Sequence, residues 1–178
     1  MILKIFIVGD ETIDKLEIAK RLCEKNDDLS IAPKFTSDLA YKDISYNDHL
    51  YYMDNNEVDL SYKNNAFLCI NTNGYISTGV TLDSFYNNDI FYLDINEFNS
   101  ISDFILYSHD SLVIWVDSKK QRENNEESVV AVSHFMERIQ NLLSMYFLDE
   151  DTNYIVETII KYLTVSFEER QEILQENS

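Results

Sequence analysis

The sequence contains little glycine, proline or cysteine and no long apolar run. Its 178 residues include 3 glycines, 1 proline and 2 cysteines, which excludes a collagen-like or low-complexity chain. Cys23 and Cys69 lie far apart and outside any metal-binding or redox spacing, so we expect buried thiols in a reducing compartment. No apolar run approaches the ~20 residues that span a bilayer. Residues 2–8 are too short for a signal peptide, and we expect a cytoplasmic protein, in the host cytoplasm if it is viral.

Positive charge is also scarce. Lys and Arg total 14 against 32 Asp and Glu, which gives a net charge of −18. Such a surface repels nucleic acid and anionic lipid. We therefore expect protein partners, with basic surfaces favoured, no nucleic acid and no membrane, while a nucleotide stays a candidate ligand. The abundance of Asn, Asp, Ile and Tyr indicates an AT-rich genome, viral or cellular.

The length and the hydrophobic content of 45% favour a single domain over residues 1–178. Apolar runs at 2–8, 66–71, 89–95 and 111–117 are typical of buried strands. Helical patterns at 15–25, 55–65, 80–86, 98–107 and 128–147 separate or follow them. This alternation predicts an α/β fold with a mostly parallel sheet. Residues 30–66 read as an irregular insertion, residues 154–156 as a short strand or the start of the last helix, and residues 168–178 as an acidic tail.

The loop after the first strand is the first place to look for chemistry, because open α/β folds bind ligands at the carboxyl ends of their strands. It reads Gly9-Asp10-Glu11-Thr12-Ile13-Asp14-Lys15-Leu16. A phosphate-binding P-loop has the pattern G-x-x-x-x-G-K-[ST]. Gly9 and Lys15 have the right spacing, but Asp14 replaces the second glycine and Leu16 replaces the hydroxyl residue that holds magnesium. With Asp10 and Glu11, the loop carries three carboxylates that oppose a phosphate.

Three further segments follow in order: Ser30-Ile31-Ala32-Pro33-Lys34-Phe35-Thr36-Ser37-Asp38, Asn73-Gly74-Tyr75-Ile76-Ser77-Thr78 and Asn88-Asp89-Ile90-Phe91-Tyr92-Leu93-Asp94-Ile95-Asn96. Their order and spacing resemble guanylate kinase and related nucleoside-monophosphate kinases over roughly residues 1–165. The first two are similar to segments that contact the monophosphate, and the third is similar to the strand with the family's acidic residues. The resemblance implies a P-loop kinase-like, three-layer α/β/α fold. It implies nucleotide-binding positions at Gly9, Lys15, Thr36, Ser37, Tyr75, Thr78 and Asn96.

The departures from that family pattern fall on functional positions. Asp38 stands where a phosphate-clamping Arg is expected, which reverses the charge. Cys69 stands where a base-contacting Glu is expected, and Ser77 replaces a Gly. The cluster of Lys119, Lys120 and Arg122 falls where a basic lid begins, and it reads either as a solvated loop or as a former phosphate lid. Loss of the cations removes the charge stabilisation on which phosphoryl transfer depends.

Two functions of different classes remain. The first is a degenerate, non-catalytic pseudokinase that acts as a binding or structural module, without a cofactor or a metal site. The alternative is a divergent, active nucleoside or nucleoside-monophosphate kinase that uses ATP and Mg²⁺. It would place Lys15 on the donor phosphates, Asp94 as base or magnesium-side carboxylate, and Arg122 as the lid cation. A small GTPase-like protein is a third reading, suggested by Ile7-Val8-Gly9-Asp10, but the chain lacks a guanine-reading Asn-Lys-x-Asp motif.

Overall fold

In the part of the chain that the structure describes, eight strands in two sheets form the framework. A computed structural model of the chain describes residues 3–9, 13–43, 49–117, 126–148 and 150–177. The strands are β1 (Lys4–Gly9), β2 (Lys34–Thr36), β3 (Leu50–Tyr52), β4 (Phe67–Asn73), β5 (Ile76–Thr81), β6 (Ile90–Leu93), β7 (Ser111–Asp117) and β8 (Leu143–Leu148). The helices are α1 (Lys15–Lys25), α2 (Asn55–Lys63), α3 (Leu82–Asn87), α4 (Ile95–Ser100), α5 (Asp103–Ser108), α6 (Glu126–Ile139), α7 (Thr152–Thr164) and α8 (Phe167–Glu176).

The first sheet is parallel throughout, with strand order β6-β1-β7-β8. Its central strand, β1, is buried along its whole length. Ile5 and Ile7 pack with α1 and α7 on one face, while Phe6 and Val8 pack with α4 and α6 on the other. Because both faces are covered, β1 and β7 carry apolar residues at nearly every position. The expected three-layer α/β/α arrangement with a mostly parallel central sheet is confirmed.

The second sheet is mixed, with order β3-β2-β5-β4. Strands β2 and β3 are parallel, whereas β5 is antiparallel to both β2 and β4. The two sheets meet beside β6, where Ile31 forms a bridge with Ile90 and the Ala32 N–H donates to the Ile90 carbonyl at 2.9 Å. The helix predicted over 55–65 is present as α2, but the interpretation of 30–66 as an irregular insertion missed β2 and β3. Strands of three residues carry too little periodic signal to be recognised in sequence.

Of the β4–β5 hairpin, the sequence pattern predicts β4 but not β5. The sequence pattern predicts a helix from Val80, but Val80 lies in β5. Helix α3 begins at Leu82, and Thr81 caps it by accepting the Ser84 N–H. The turn between the strands contains Gly74 at φ +62°. Glycine adopts this angle without steric cost, which suits the first position of a two-residue hairpin turn.

The second half of the chain differs most from the sequence prediction. The helix expected to reach 147 ends at Ile139, and β8 follows with Met145 and Phe147 buried against the first sheet. The helix expected over 98–107 is split into α4 and α5 at Ile101 and Ser102. An apolar run such as 142–148 satisfies helical and strand periodicity alike, so its pairing with β7 decides.

The segment read as an acidic tail forms α8. Ser166 and Glu169 form a capping box at its start, and Ile173 is buried in the core. Residues 154–156, read as a short strand or a helix start, lie in the first turns of α7. Within the described ranges, none of the helices is long and apolar enough to cross a membrane.

Candidate functional site

Gly9 ends β1 because the neighbouring strand leaves no room for a side chain. A Cβ atom at this position would lie 2.1 Å from the Val116 carbonyl oxygen of β7. Real Cβ atoms do not approach an oxygen so closely, so packing between β1 and β7 requires glycine here. The glycine that matches the P-loop pattern therefore has a structural reason that needs no ligand.

The start of α1 is closed by the chain's own groups. Asp14 has φ −75° and ψ 79°, and the Lys15 N–H donates to the Ile13 carbonyl at 2.9 Å, which is an inverse γ-turn. The Asp14 carboxylate accepts the Glu17 N–H at 2.9 Å, and its carbonyl accepts the Ile18 N–H at 3.3 Å. The first N–H groups of a helix are the donors that bind anions in a phosphate loop. Here the Lys15 and Glu17 N–H groups already have partners within the protein, while the Ile18 N–H makes the first ordinary bond of the helix.

Lys15 is buried, and its ammonium group donates to the Gly9 carbonyl at 3.2 Å. Its side chain thus lies back along the loop toward the end of β1. The next residue, Leu16, is half-buried and contributes to the wall of a neighbouring pocket. An aliphatic side chain has no oxygen to offer a magnesium ion. Residues 10–12 of the loop lie outside the described part of the chain.

An open pocket of about 410 Å³ lies between the second sheet, α1 and β6. Its apolar and aromatic lining comes from both sheets and α1: Leu16, Phe35, Tyr41, Leu50, Ile76 and Tyr92. Its polar lining comes mainly from β2, β5 and the segments around them: Lys34, Thr36, Asp38, His49 and Thr78. This volume falls within the usual range of small-molecule pockets.

Glu97 joins the second sheet to the first through a buried charge network. Its side chain is fully buried, and one carboxylate oxygen accepts the Lys34 ammonium at 2.6 Å. The other accepts the Thr78 hydroxyl at 3.0 Å, while the Asp94 N–H donates to the carboxylate at 3.0 Å. Lys34 also lies over the Tyr92 ring, 5.4 Å from its centre. The only Lys or Arg among the described lining residues therefore has its charge balanced inside the protein.

Two side chains near this network, the half-buried Tyr92 and the buried Cys69, are held in their neutral forms. Burial, followed by the nearby Glu97 charge, raises the pKa of Tyr92, whose hydroxyl donates to the His49 carbonyl at 2.5 Å. Burial is also the main cause that raises the pKa of the Cys69 thiol. Neutral Tyr92 lines the pocket, while Cys69, a residue of β4, is buried in the core.

The structure brings together some of the residues named from the sequence. Thr36 and Thr78 face each other across β2 and β5, and both line the pocket. Asp38 lines it too, and its carboxylate accepts the Ala40 N–H at 2.9 Å, capping the 3-10 helix Leu39–Tyr41. Ser37 is buried beside them, where its hydroxyl accepts the Ser77 N–H at 2.8 Å.

Other named residues lie apart from this pocket. Tyr75 is 95% exposed at the tip of the β4–β5 hairpin. Asn96 is exposed on α4, and Asp94 caps that helix by accepting the Glu97 N–H at 2.7 Å. Lys119, Lys120 and Arg122 lie outside the described residues.

Sequence reasoning missed the residues that hold the site together: Lys34, Glu97, Tyr92 and His49. One signal for Glu97 was present, because Asp94-Ile95-Asn96-Glu97 has the spacing of a capping box. Nothing local connects Glu97 with Lys34, which lies 63 residues earlier in the chain. Their meeting depends on how the two sheets pack.

Comparisons with known proteins agree with this architecture. No protein-family model matches the sequence, and no curated protein is similar to it. Among solved structures, a guanylate kinase from Anaplasma phagocytophilum is similar, with a TM-score of 0.60 and 13% sequence identity. The similarity covers 91% of this chain and 84% of that one. At this identity the likeness concerns the fold, and the protein has a guanylate kinase-like α/β fold.

Proposed function

We propose that the protein is a non-catalytic binding module built on a guanylate kinase-like fold. The observation that carries the proposal is the carboxylate of Asp14 at the start of α1, where it accepts the Glu17 N–H at 2.9 Å. In a working phosphate loop that end of the helix faces the nucleotide phosphates. A carboxylate there uses a donor that the phosphate needs and adds a charge of the same sign.

The energetic cost to a phosphate is substantial. Displacing Asp14 from its cap sacrifices about 1 kcal/mol of helix stability. Leaving it in place opposes each unit of phosphate charge at 4 Å by about 1 to 4 kcal/mol, from a water-like to a surface-like dielectric. The buried Lys15 ammonium, which already donates to the Gly9 carbonyl, supplies one compensating charge.

The described residues of the loop do not fit a nucleoside triphosphate with magnesium. The Asp14 carboxylate and the γ-turn occupy the Glu17 and Lys15 N–H donors, and Leu16 stands where a hydroxyl would reach the metal. We therefore propose that the module requires neither ATP nor Mg²⁺. Asp94 then serves as the cap of α4, a role that its bond to the Glu97 N–H supports.

The partner that we propose is a protein with a basic surface. The supporting observation is the net charge of −18, which attracts cationic surfaces and repels nucleic acid and anionic membranes. Association driven by such charge weakens steeply with added salt. Pull-down from a lysate at low and at 0.5 M salt would separate such partners from those held by apolar contacts.

A second candidate function is an active nucleotide kinase. It is favoured by Gly9 and Lys15 at P-loop spacing and by Thr36 and Thr78 together in one pocket. In this alternative, Lys15 binds the donor phosphates, Asp94 acts near the metal and Arg122 supplies the lid charge. ATP and Mg²⁺ would be its cofactors.

Isothermal titration with ATP and GTP, each with and without magnesium, tests the proposal. We expect no binding heat up to millimolar nucleotide, in the parent chain or in Lys15→Ala. A second variant, Asp14→Gly with Leu16→Ser, reinstates the residues of the P-loop pattern, and we expect any gain in nucleotide binding to appear only there. Micromolar binding by the parent chain that disappears in Lys15→Ala, with phosphate transfer to a monophosphate, would establish the kinase instead.

A further inference from the structure

Helices α3 and α5, which meet at His109, carry three exposed aromatic side chains. Phe104 is 79% exposed, Tyr86 64% and Tyr107 52%. Phe104 and Tyr107 are three residues apart on α5, a spacing that makes them neighbours on the helix surface. His109 connects them with α3, because its ring lies 6.3 Å from the Tyr86 ring and its Nδ1 lies 3.1 Å from the Ile105 carbonyl oxygen. We call Tyr86, Phe104 and Tyr107 the aromatic patch.

The rings of the aromatic patch do not belong to the core. Helix α3 buries Phe85 instead, and α5 buries Leu106. The Tyr107 hydroxyl donates to the Arg138 carbonyl at 3.1 Å, which holds that side chain in place without covering it. Aromatic side chains bury about 150–250 Å² each when covered, so these three offer roughly 400 Å². The largest apolar patches on monomeric proteins measure roughly 300–600 Å² and often have a function.

The charges around the aromatic patch present one sign to water. Residues 64–118, which include α3 and α5, contain seven Asp or Glu and no Lys or Arg. Asp83 is exposed on α3. Asp103 begins α5 and forms an ion pair with Arg138 at 2.7 Å, but its side chain is 71% exposed and that of Arg138 only 9%. The pair therefore turns its carboxylate toward the solvent.

Two cations that lie against these helices are bound inside the protein. Arg138 donates to the carbonyls of Phe98 and Ile101 at 2.9 and 2.6 Å. Lys4 is 5% exposed, and its ammonium donates to the Phe85 carbonyl at 2.9 Å. Neither charge reaches the solvent side of α3 and α5, so a cation from another molecule can approach this acidic surface without repulsion from them.

We propose that the aromatic patch binds a basic peptide segment of a partner protein, one with an apolar side chain among its Lys or Arg residues. The proposal rests on the proposed role as a binding module and gives that role a surface. Cationic side chains are attracted to aromatic faces and to the carboxylates of Asp83 and Asp103. An apolar side chain would cover the rings.

A second copy of this chain does not fit the same surface. Both copies carry a net charge of −18 and repel each other. The roughly 400 Å² of the aromatic patch also falls short of the about 800 Å² that each partner contributes to a stable interface. A short segment with charges of the opposite sign satisfies both conditions.

A fluorescein-labelled synthetic helical peptide of Leu and Lys tests the proposal by fluorescence anisotropy with the full chain. We expect a dissociation constant below about 100 µM. Analogues with Glu in place of Lys, or Ser in place of Leu, should bind at least about tenfold more weakly. Backbone amide NMR shifts caused by the peptide should cluster on α3 and α5. Failure of the peptide to bind, equal binding of either analogue, or shifts confined to other elements overturns the proposal.

Two matched pairs of variants locate the contact. Phe104→Ser should weaken peptide binding at least about fivefold, whereas Phe167→Ser, which removes a ring 71% exposed on α8, should leave it unchanged. Asp83→Lys should also weaken it at least about fivefold, and Asp59→Lys, which alters net charge equally on exposed α2, by less than about twofold. All four residues are exposed, so the variants should keep the parent melting temperature. Equal effects within either pair would show that the peptide binds elsewhere or follows overall charge, and the proposal would be wrong.

These outcomes are separate from those that test the proposed function. Magnesium-dependent ATP binding lost in Lys15→Ala would refute the non-catalytic role whatever the peptide does. Peptide binding that is equal in Phe104→Ser and Phe167→Ser would refute the aromatic patch alone and leave the preference for basic partners intact.

Discussion

Replacement of Glu97 by Gln should show that the two sheets are held together by a buried ion pair. The Glu97 side chain is fully buried and the Lys34 side chain is 16% exposed, so water cannot replace the lost charge. Breaking such a pair typically costs about 3–5 kcal/mol because one buried charge is left alone. Glutamine keeps the shape and one acceptor, so we expect about 3 kcal/mol, at the lower end of that range. The melting temperature should fall by roughly 6–12 °C.

Urea unfolding followed by circular dichroism measures this loss, and the chain offers a matched control. Glu57 closes an equivalent capping box with Asp54 on α2, but it is exposed. Glu57→Gln should therefore change the free energy of unfolding by less than about 0.5 kcal/mol. Lys34→Met combined with Glu97→Gln should recover at least about 1 kcal/mol relative to the sum of the single changes. Equal costs for Glu97→Gln and Glu57→Gln, or strict additivity in the double variant, would refute the reasoning.

Three other predictions concern packing and protonation. In urea unfolding, Gly9→Ala should destabilise the chain by about 3 kcal/mol or more, because its Cβ would meet the Val116 carbonyl oxygen at 2.1 Å. The control Gly74→Ala, in open space at φ +62°, should cost only about 1 kcal/mol. Because the fold raises the Tyr92 pKa above its ordinary 10.0, the free energy of unfolding should fall as pH rises above 10. Tyr92→Phe should make this fall less steep, and an unchanged slope would contradict a raised Tyr92 pKa. Cys69 should resist iodoacetamide at pH 8 until urea unfolds the chain, because its thiol is buried and its pKa is raised. If mass spectrometry finds Cys69 modified in the native protein, the second sheet opens and the prediction is wrong.

Much of the first sheet was predictable from local pattern. The continuous apolar residues of β1 and β7 can be buried only inside a sheet covered on both faces, and the stripe of Ile18 and Leu22 can face only a core. β8 escaped because its apolar residues follow those of α6 with a short connection and no glycine or proline between them. β2 and β3 escaped because three residues show no period.

Only part of the candidate site could be predicted from the sequence. The sequence located the β1–α1 loop, and it singled out Thr36, Asp38 and Thr78, which the fold gathers around one pocket. It presented Asp14 as a carboxylate that replaces a P-loop glycine and opposes a phosphate. The γ-turn adds what the sequence does not show, namely that Asp14 caps α1 and that the Lys15 N–H is bonded to Ile13. Such bonds depend on backbone angles, which residue identity constrains only weakly.

By itself, then, the sequence determined the covered parallel sheet, the excess of negative charge and the departures of the β1–α1 loop from a phosphate-binding pattern, because each depends on residue type and local spacing. Only the tertiary structure decided that Glu97 lies against Lys34 and Thr78. It also decided that the charge of Lys34 is balanced inside the protein and that Asp38 lies in the lining of the same pocket. These contacts join residues separated by up to 63 positions. Their free energies arise from exclusion of water between two packed sheets, which no local segment of the chain can express.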